Sequence, residues 1–308
     1  MQHIDDLLVL EQTKDMTFVG KNLWGTPVTP NAFGGQLVAL SLAAAFKTVP
    51  ENYLARSLHT QFIDSVDKTK PATFKVNDQA PGSRVTSRMV QCFQEQRLAM
   101  QTVCTFVARK PRTAQQIDHR YQASTEAPFD ILMHALINRK AMPDVALPGS
   151  TADCPFVLDP QGYPKAFPAM IWVTELDRDH ATPAPPRQQM WLECPDKRQR
   201  SEQTKQCIVA MYSDVHFTRV IVRPFGIRIA PPPRHLRKIV SIDHHMWFHQ
   251  EADPSQPMLV DTWCSQLSSG RGVVQSEMFA HDRRLVATIM QEGRVEIDPT
   301  AQLPSPKL

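Results

Sequence analysis

The stretch FGGQLVALSLAAAFKTV (33–49) decides the fold that we predict for this chain. Its apolar residues recur close to helical spacing: Phe33, Leu37, Leu40, Ala44 and Phe46. Two glycines, Gly34 and Gly35, stand at its start, and small residues fill much of the remainder. The pattern predicts a helix against which another backbone can lie closely.

Four extended segments follow this helix, and all are rich in β-branched and apolar residues. They are ARSLHTQFID (55–64), ATFKVNDQ (72–79), RVTSRMVQCF (84–93) and RLAMQTVCTFVAR (97–109). One helix followed by a run of antiparallel strands predicts a sheet wrapped around that helix.

The second half of the chain repeats this plan. TKQCIVAMYSDVHF (204–217) carries an apolar helical stripe. Strand-like segments follow at 238–250, 258–267, 271–280 and 284–297. The spacing from Arg84 to Leu98 also equals that from Arg271 to Leu285, at 14 residues each. We interpret this as a duplicated unit, with two ordinary hairpins as the alternative.

These patterns divide the 308 residues into four parts. We predict an N-terminal unit at 1–112, a proline-rich linker at 113–168, a second unit at 169–300 and a short tail at 301–308. Each unit is long enough to bury a core of its own.

Composition excludes several classes of protein. The formal charge is +3, from 34 basic and 31 acidic side chains without a long basic run, so we expect no nucleic-acid partner. No apolar stretch is long enough to span a membrane, and the acidic start does not follow the order of a signal peptide. Six widely spaced cysteines predict reduced thiols, without disulfides or zinc. We expect a soluble intracellular protein.

Five motifs occur in an order that resembles the acyl-CoA thioesterase II family, including its peroxisomal type. They are FGGQ (33–36), SLHTQFI (57–63), Tyr212-Ser213-Asp214, SIDHHMWFH (241–249) and QEG (291–293). The resemblance runs from about residue 16 to 297. It implies an α+β double hot-dog fold, in which two tandem antiparallel sheets each wrap around a long central helix. It also implies an internal pseudo-dimer, and it leaves further self-association open.

The resemblance implies that Asp214, Ser241 and Gln291, all in the second unit, form a catalytic set that activates water to hydrolyse fatty acyl-CoA. The chemistry of the side chains agrees: an ionised carboxylate accepts hydrogen bonds, a hydroxyl donates or accepts, and a carboxamide does both. A thiolate leaves a carbonyl without much help, so one general base and a positioned water suffice. No cofactor and no acyl-enzyme are implied.

Five further residues are candidates for substrate binding. Backbone N–H groups at Gly34 and Gly35 are candidates to stabilise the oxyanion, because they open a helix. His59 is either a core or interface histidine or a residue that lines the substrate pocket. Trp247 either packs the sheet or lines the acyl channel. Arg271 is a candidate contact for the phosphates of coenzyme A.

The crowded stretch SIDHHMWFHQ (241–250) also suggests a metal site. On one continuous strand, Asp243, His245 and His249 would share a face with Ser241, and Ile242 and His244 would face the other way. The family implied by the resemblance uses no metal, so we expect structural hydrogen bonds from Asp243 and His244 instead.

Two other functions stay open from the sequence. One is a hot-dog hydratase or dehydratase that acts on the acyl chain, and the other is a non-catalytic acyl-CoA binding protein. The last residues, Pro306-Lys307-Leu308, are a loose variant of a peroxisomal address, so we expect a peroxisomal location with the cytoplasm as the alternative.

Overall fold

The structure is a computed structural model that describes residues 3–26, 29–80, 82, 84–109, 156–158, 169–174, 183–227 and 235–307. Most of the predicted linker therefore lies outside the described residues. The predicted linker nevertheless contains one strand, Phe156–Leu158, which pairs with the next strand of the second half.

The first half follows the predicted order of a helix and then strands, with a short hairpin before the helix. After a 3₁₀ turn at Ile4–Leu8, its elements are β1 (Glu11–Lys14), β2 (Thr17–Gly20), α1 (Gly34–Phe46), β3 (Tyr53–Phe62), β4 (Ala72–Ala80), β5 (Val85–Gln94) and β6 (Arg97–Ala108). The predicted strands of this half are all present, with small differences at their ends.

The second half has the same order of elements. Its strands before the helix are β7 (Phe156–Leu158), β8 (Met170–Thr174) and β9 (Arg187–Glu193). The helices are α2 (Glu202–Tyr212) and the single turn α3 (Arg219–Val222), followed by a 3₁₀ turn at Arg223–Phe225. The later strands are β10 (Leu236–Ser241), β11 (Asp243–Phe248), β12 (Met258–Ser268), β13 (Arg271–Phe279) and β14 (Leu285–Ile297).

All of these strands belong to one sheet whose two halves mirror each other. The order is β1-β2-β4-β5-β6-β3-β11-β14-β13-β12-β9-β8-β7, and β10 also pairs with β14. Each half thus carries its strands in the same relative order, outward from a central antiparallel pair of β3 and β11. This is the double hot-dog arrangement, and it joins the two halves through backbone hydrogen bonds.

Helix α1 forms the centre of the first half. Nearly all of its side chains are buried, and it packs against β4, β5, β6 and helix α2. The buried Gln36 amide donates to the Leu7 and Asn22 carbonyl groups and accepts from the Trp24 N–H. These bonds hold the opening segment of the chain against the helix and fix where the helix begins.

Helix α2 lies beside α1 and contacts the other half of the molecule. The Ser201 hydroxyl accepts the Thr204 N–H, so a serine caps its first turn. Farther along, the Gln206 amide exchanges two hydrogen bonds with the Ala55 backbone in β3. The start of α2 is therefore anchored to the first half, and its other end points toward the start of α1.

The described residues show two further general features. Five cysteines are free and buried: Cys92, Cys104, Cys194, Cys207 and Cys264. Within the described ranges, no helix has both the length and the apolar character needed to cross a membrane.

Candidate active site

The first side chain of the site follows the end of helix α2. The helix ends at Tyr212, and Asp214 lies in the turn that continues the chain. Asp214 is half-buried as a residue, and its carboxylate accepts hydrogen bonds from the Gly35 N–H and from the Gln291 side chain. The second half thus supplies the carboxylate, and the N-terminus of α1 in the first half holds it.

The glycines at the start of α1 make this contact possible. A β-carbon on Gly34 would lie 2.8 Å from Asp214 Oδ2, and a β-carbon on Gly35 would lie 2.5 Å from the Met211 carbonyl oxygen. Because Gly35 donates its N–H to Asp214, that N–H group already has an acceptor. Of the two predicted oxyanion donors, Gly34 is therefore the better candidate.

The second part of the site is a β-bulge between β10 and β11. Ser241 pairs with Gly293 and His245 with Met290, so the chain advances four residues opposite three on β14. The expectation of one continuous strand with strict alternation from Ser241 to His249 is therefore wrong. Because of the bulge, Ser241 and His244 both face Gln291 on β14, although strict alternation along one strand would place them on opposite faces.

Asp243 has a structural role at this bulge. Its Oδ1 atom accepts the Glu292 N–H at 2.7 Å, and the Ile242 N–H donates to the Glu292 carbonyl at 2.8 Å. These two bonds satisfy both backbone groups of Glu292 where the regular ladder is interrupted. The predicted structural hydrogen bond of Asp243 is present.

Gln291 is the centre of the hydrogen-bond network. It is buried, and its Nε2 atom donates to Ser241 Oγ at 2.6 Å and its side chain to the Asp214 carboxylate. Its Oε1 atom lies 2.5 Å from His244 Nδ1, and His244 Nε2 lies 2.9 Å from Ser213 Oγ. The buried Gln291 carboxamide thus connects the other two side chains predicted to be catalytic, Asp214 and Ser241, with a histidine that was not.

Burial shifts the pKa values of both titratable groups in this network. It raises the pKa of Asp214 to about 7, while the hydrogen bonds from Gln291 and Gly35 act in the opposite direction. Burial also lowers the pKa of His244 to about 4. At neutral pH the carboxylate is close to its midpoint and the imidazole is neutral. A carboxylate with a pKa near 7 is suited to take a proton from water.

Comparison with known proteins shows the family of the chain. The family model for the acyl-CoA thioesterase N-terminal domain matches residues 23–107, and the model for the acyl-CoA thioesterase C-terminal domain matches residues 143–295. The chain belongs to the acyl-CoA thioesterase family. It is accordingly a thioester hydrolase, and the second domain match begins inside the predicted linker 113–168.

Individual thioesterases are similar over almost the whole chain. Acyl-CoA thioesterase 2 of Haemophilus influenzae is 24% identical over 96% of this chain and 94% of its own length. Acyl-coenzyme A thioesterase 8 of Homo sapiens is 25% identical over 96% of this chain and 89% of its own length. The crystal structure of an acyl-CoA thioesterase II from Mycobacterium marinum has a TM-score of 0.70 at 22% identity, covers 97% of this chain and 99% of that chain, and shows the same fold.

Three predicted substrate-binding residues of this thioesterase lie outside the network. His59 in β3 pairs with His245 in β11, and their Nδ1 atoms are 3.0 Å apart. Trp247 contacts the His59 ring edge to face, at a centroid distance of 5.3 Å. His59 and Trp247 lie on the partly exposed face of the paired strands β3 and β11, whereas His244 lies on the buried face. The sheet therefore separates His59 and Trp247 from Gln291.

Arg271 begins β13 on the surface. Its guanidinium group forms a two-point ion pair with the Glu292 carboxylate, at 2.6 and 2.9 Å. The neighbouring anion neutralises much of the field that would attract a phosphate. As a contact for coenzyme A, Arg271 stays a prediction that the structure does not strengthen.

The metal alternative has little geometric support. His245 Nε2 lies 3.5 Å from Asp243 Oδ2, but the His249 ring contacts the Thr288 hydroxyl at 2.8 Å instead. Across the described ranges, no group of three or more His, Cys, Asp or Glu side chains is arranged to hold a metal ion.

Sequence reasoning missed His244 and Ser213 as members of the site. Ser213 precedes Asp214 directly, and His244 lies three residues after Ser241. A signal was present, because both residues fall inside motifs that carry the resemblance. Strict strand alternation concealed it by placing His244 on the face opposite Ser241.

Proposed function

We propose that this thioesterase hydrolyses fatty acyl-CoA to a free acid and coenzyme A with a water molecule held by Asp214, Ser241 and Gln291. The observation that carries the proposal is the Gln291 carboxamide, which donates to Ser241 Oγ at 2.6 Å and also interacts with the Asp214 carboxylate. It gathers an acceptor, a hydroxyl and a polar amide around one location at the junction of the two halves.

The reaction needs one proton acceptor. The ionised Asp214 carboxylate takes a proton from water as the water oxygen attacks the thioester carbonyl carbon, forming a new C–O bond. The tetrahedral intermediate then collapses, the C–S bond breaks, and coenzyme A leaves as its thiolate. The proton on Asp214 returns to solvent or to the departing sulfur. No covalent intermediate with the protein is required.

The oxyanion needs donors on the other side of the carbonyl. Helix α1 begins at Gly34, and the first N–H groups of a helix have no partner within it. The positive end of the helix dipole reinforces them. Since the Gly35 N–H is bonded to Asp214, we assign the oxyanion role to the Gly34 N–H.

Release of free thiol from a panel of acyl-CoA substrates tests this function. We expect the wild type to release coenzyme A, and Asp214→Asn to lose at least about a hundredfold in kcat, because a general base contributes about that much. Val273→Thr is a matched control, since Val273 is exposed on the neighbouring strand β13.

Each alternative function gives a different result in the same assay. A hydratase would change the acyl chain without releasing thiol, and a binding protein would retain the intact ligand. Near-normal turnover by Asp214→Asn would remove this carboxylate from the mechanism. Loss in the Val273→Thr control as well would show that the assay reports on general damage to the fold.

The location of the protein is a separate proposal. Peroxisomal acyl-coenzyme A thioester hydrolase 1 of Saccharomyces cerevisiae is 29% identical over 39% of this chain and 34% of its own length. Together with the Pro306-Lys307-Leu308 sequence, this supports a peroxisomal location. Fluorescence microscopy of an N-terminal fusion, with and without residues 306–308, tests it. Diffuse cytoplasmic signal from both fusions would contradict it.

A further inference from the structure

His244 is buried beside the catalytic set without facing the position proposed for the substrate. Its side chain has no solvent exposure, and the Phe217 ring packs against it edge to face at a centroid distance of 5.9 Å. One ring nitrogen is near Ser213 Oγ and the other is near Gln291 Oε1. Water cannot readily replace either contact, so the placement of each hydrogen has a large effect on the energy.

The donors and acceptors around Gln291 restrict its orientation. An ionised Asp214 can only accept, so the carboxamide must present its NH2 group to Asp214. The same NH2 group carries a second hydrogen, which it donates to Ser241. The carboxamide oxygen then faces His244, and it requires a donor there.

A neutral imidazole has one N–H and can supply that donor in only one tautomer. With the hydrogen on Nδ1, His244 donates to Gln291 Oε1, and its bare Nε2 accepts the Ser213 hydroxyl hydrogen. With the hydrogen on Nε2, two lone pairs would face each other across the 2.5 Å between Nδ1 and Oε1. The carboxamide would then rotate and turn its oxygen toward the Asp214 carboxylate.

We propose that Ser213 and His244 are positioning residues that hold the Gln291 carboxamide with its NH2 group toward Asp214 and Ser241. This inference rests on the proposed function, because it assigns the orientation that a water-activating carboxylate needs. The Ser213 hydroxyl also lies 2.8 Å from the Ala210 carbonyl oxygen, so its single hydrogen has two possible acceptors. In the catalytic arrangement it is directed to His244.

The low pKa of His244, about 4 because of burial, agrees with this arrangement. At neutral pH the ring carries a single nitrogen-bound hydrogen, which can lie on either Nδ1 or Nε2. By donating to Nε2, Ser213 favours the form with the hydrogen on Nδ1. Ser213 and His244 therefore act on one side of the Gln291 carboxamide, and the Asp214 carboxylate favours the same orientation from the other side.

Nitrogen NMR of the wild type tests the tautomer without measuring activity. We expect the His244 ring to carry its hydrogen on Nδ1 at pH 7, and Ser213→Ala to shift the ring toward the Nε2 form. A His244 ring with its hydrogen on Nε2 in the wild type would overturn the proposal. This measurement stays decisive even if the variants described next fail to fold.

Two substitutions separate the functions of the two ring nitrogens. In His244→Asn the amide NH2 group lies near the position of Nδ1 and can still donate to Gln291, whereas in His244→Gln it lies near the position of Nε2. We expect His244→Asn to keep kcat within about tenfold and His244→Gln to lose about a hundredfold, the usual cost of a missing donor at an active site. KM should change little in both variants.

The result distinguishes this inference from the proposed function. Equal kcat values for His244→Asn and His244→Gln would overturn the positioning role, even if Asp214→Asn is inactive. Conversely, an active Asp214→Asn would overturn the proposed function, and the NMR result would still describe the tautomer. Circular dichroism and melting curves check that both His244 variants are folded.

Discussion

Gly34 and Asp214 approach each other so closely that a β-carbon on Gly34 would lie 2.8 Å from the Oδ2 atom of Asp214. Gly34 begins the helix of the first half, and Asp214 follows the helix of the second half. The candidate active site is therefore shared between the two units of the duplicated chain. Neither unit contains all of it.

Replacing Gly34 by alanine tests this relationship. The added methyl group would overlap the Asp214 carboxylate and would also lie 3.3 Å from the Phe62 ring. Because a carboxylate can move more easily than backbone, we expect Gly34→Ala to fold normally and to lose at least about tenfold in kcat, by misplacing the base. Thiol release and a melting curve measure the two effects.

Gly35→Ala is the matched comparison, because it adds the same methyl group one residue away. There the β-carbon would lie 2.5 Å from the Met211 carbonyl oxygen, which is backbone. Helices α1 and α2 would have to separate, so we expect a loss of about 1 to 3 kcal/mol in the free energy of unfolding, the usual cost of overpacking. If both variants lost stability equally and Gly34→Ala kept full activity, the predicted contact with Asp214 would be contradicted.

The pH dependence of catalysis follows from the pKa of Asp214. Burial raises it to about 7, and only the ionised carboxylate accepts a proton from water. We therefore expect kcat/KM to rise about tenfold per pH unit below pH 7 and to level off above it. A rate profile that stays flat from pH 5 to 8 would contradict a general base with this pKa.

Asp214 should also reduce the stability of the protein when it ionises. Its pKa in the folded state is raised above the unfolded value of about 3.8. The folded protein therefore keeps its full free energy of unfolding below pH 3.8 and loses part of it as pH rises through 7. We expect the free energy of unfolding of Asp214→Asn, relative to that of the wild type, to be about 1 to 3 kcal/mol higher at pH 8 than at pH 4. This range is discounted because the residue is only half-buried. Urea unfolding at both pH values measures the gain. If the two proteins differed in free energy of unfolding by the same amount at both pH values, burial would not oppose ionisation of the carboxylate.

Much of this molecule could be predicted from its sequence because the signals are local or periodic. The small residues of α1, its two glycines and the period-two strands predicted a sheet wrapped around a helix, and the resemblance to a known family implied the double hot-dog fold. The motifs around Asp214, Ser241 and Gln291 predicted a catalytic set, and the structure brings these three side chains together. The bulge at Ile242 could not be predicted in this way. It depends on which residues of β14 pair with β10 and β11, and that register belongs to the folded sheet.

The same limitation explains His244 and β7. Ser241 and His244 both reach Gln291 only because the bulge shifts the register between β10 and β11, so no spacing rule would place the two side chains together. The three-residue strand Phe156–Leu158 is stabilised by pairing with β8, although proline-rich sequence surrounds it. Both features arise from tertiary pairing, which overrides the local pattern.

The bulge itself can be tested at Asp243. Its carboxylate accepts the Glu292 N–H, and Glu292 directly follows Gln291. Asp243→Ala would leave that N–H without this acceptor, at a cost of about 1 to 3 kcal/mol in the free energy of unfolding. Because the backbone beside Gln291 would also relax, we expect a lower kcat. Asp243→Asn keeps a carbonyl acceptor and should recover most of both quantities. Equal behaviour of the two variants would contradict the assigned hydrogen bond.

The junction of the two halves should be sensitive to acid through His59. Burial and the neighbouring His245 both lower the pKa of His59 below its usual value of 6.5, since the two Nδ1 atoms are 3.0 Å apart. A histidine whose pKa is lowered in the folded state takes up its proton more readily after unfolding, so stability falls as pH decreases below 6.5. Asp243 lies 3.5 Å from His245 and would offset part of the repulsion between the two histidines.

We expect His59→Gln, which has no titratable side chain, to show a smaller loss of unfolding free energy than the wild type between pH 7 and pH 5. His244 contributes the same acid sensitivity to both proteins, so the difference between their slopes isolates the pair at the junction. Parallel slopes would show that protonation of His59 does not oppose the pairing of β3 with β11.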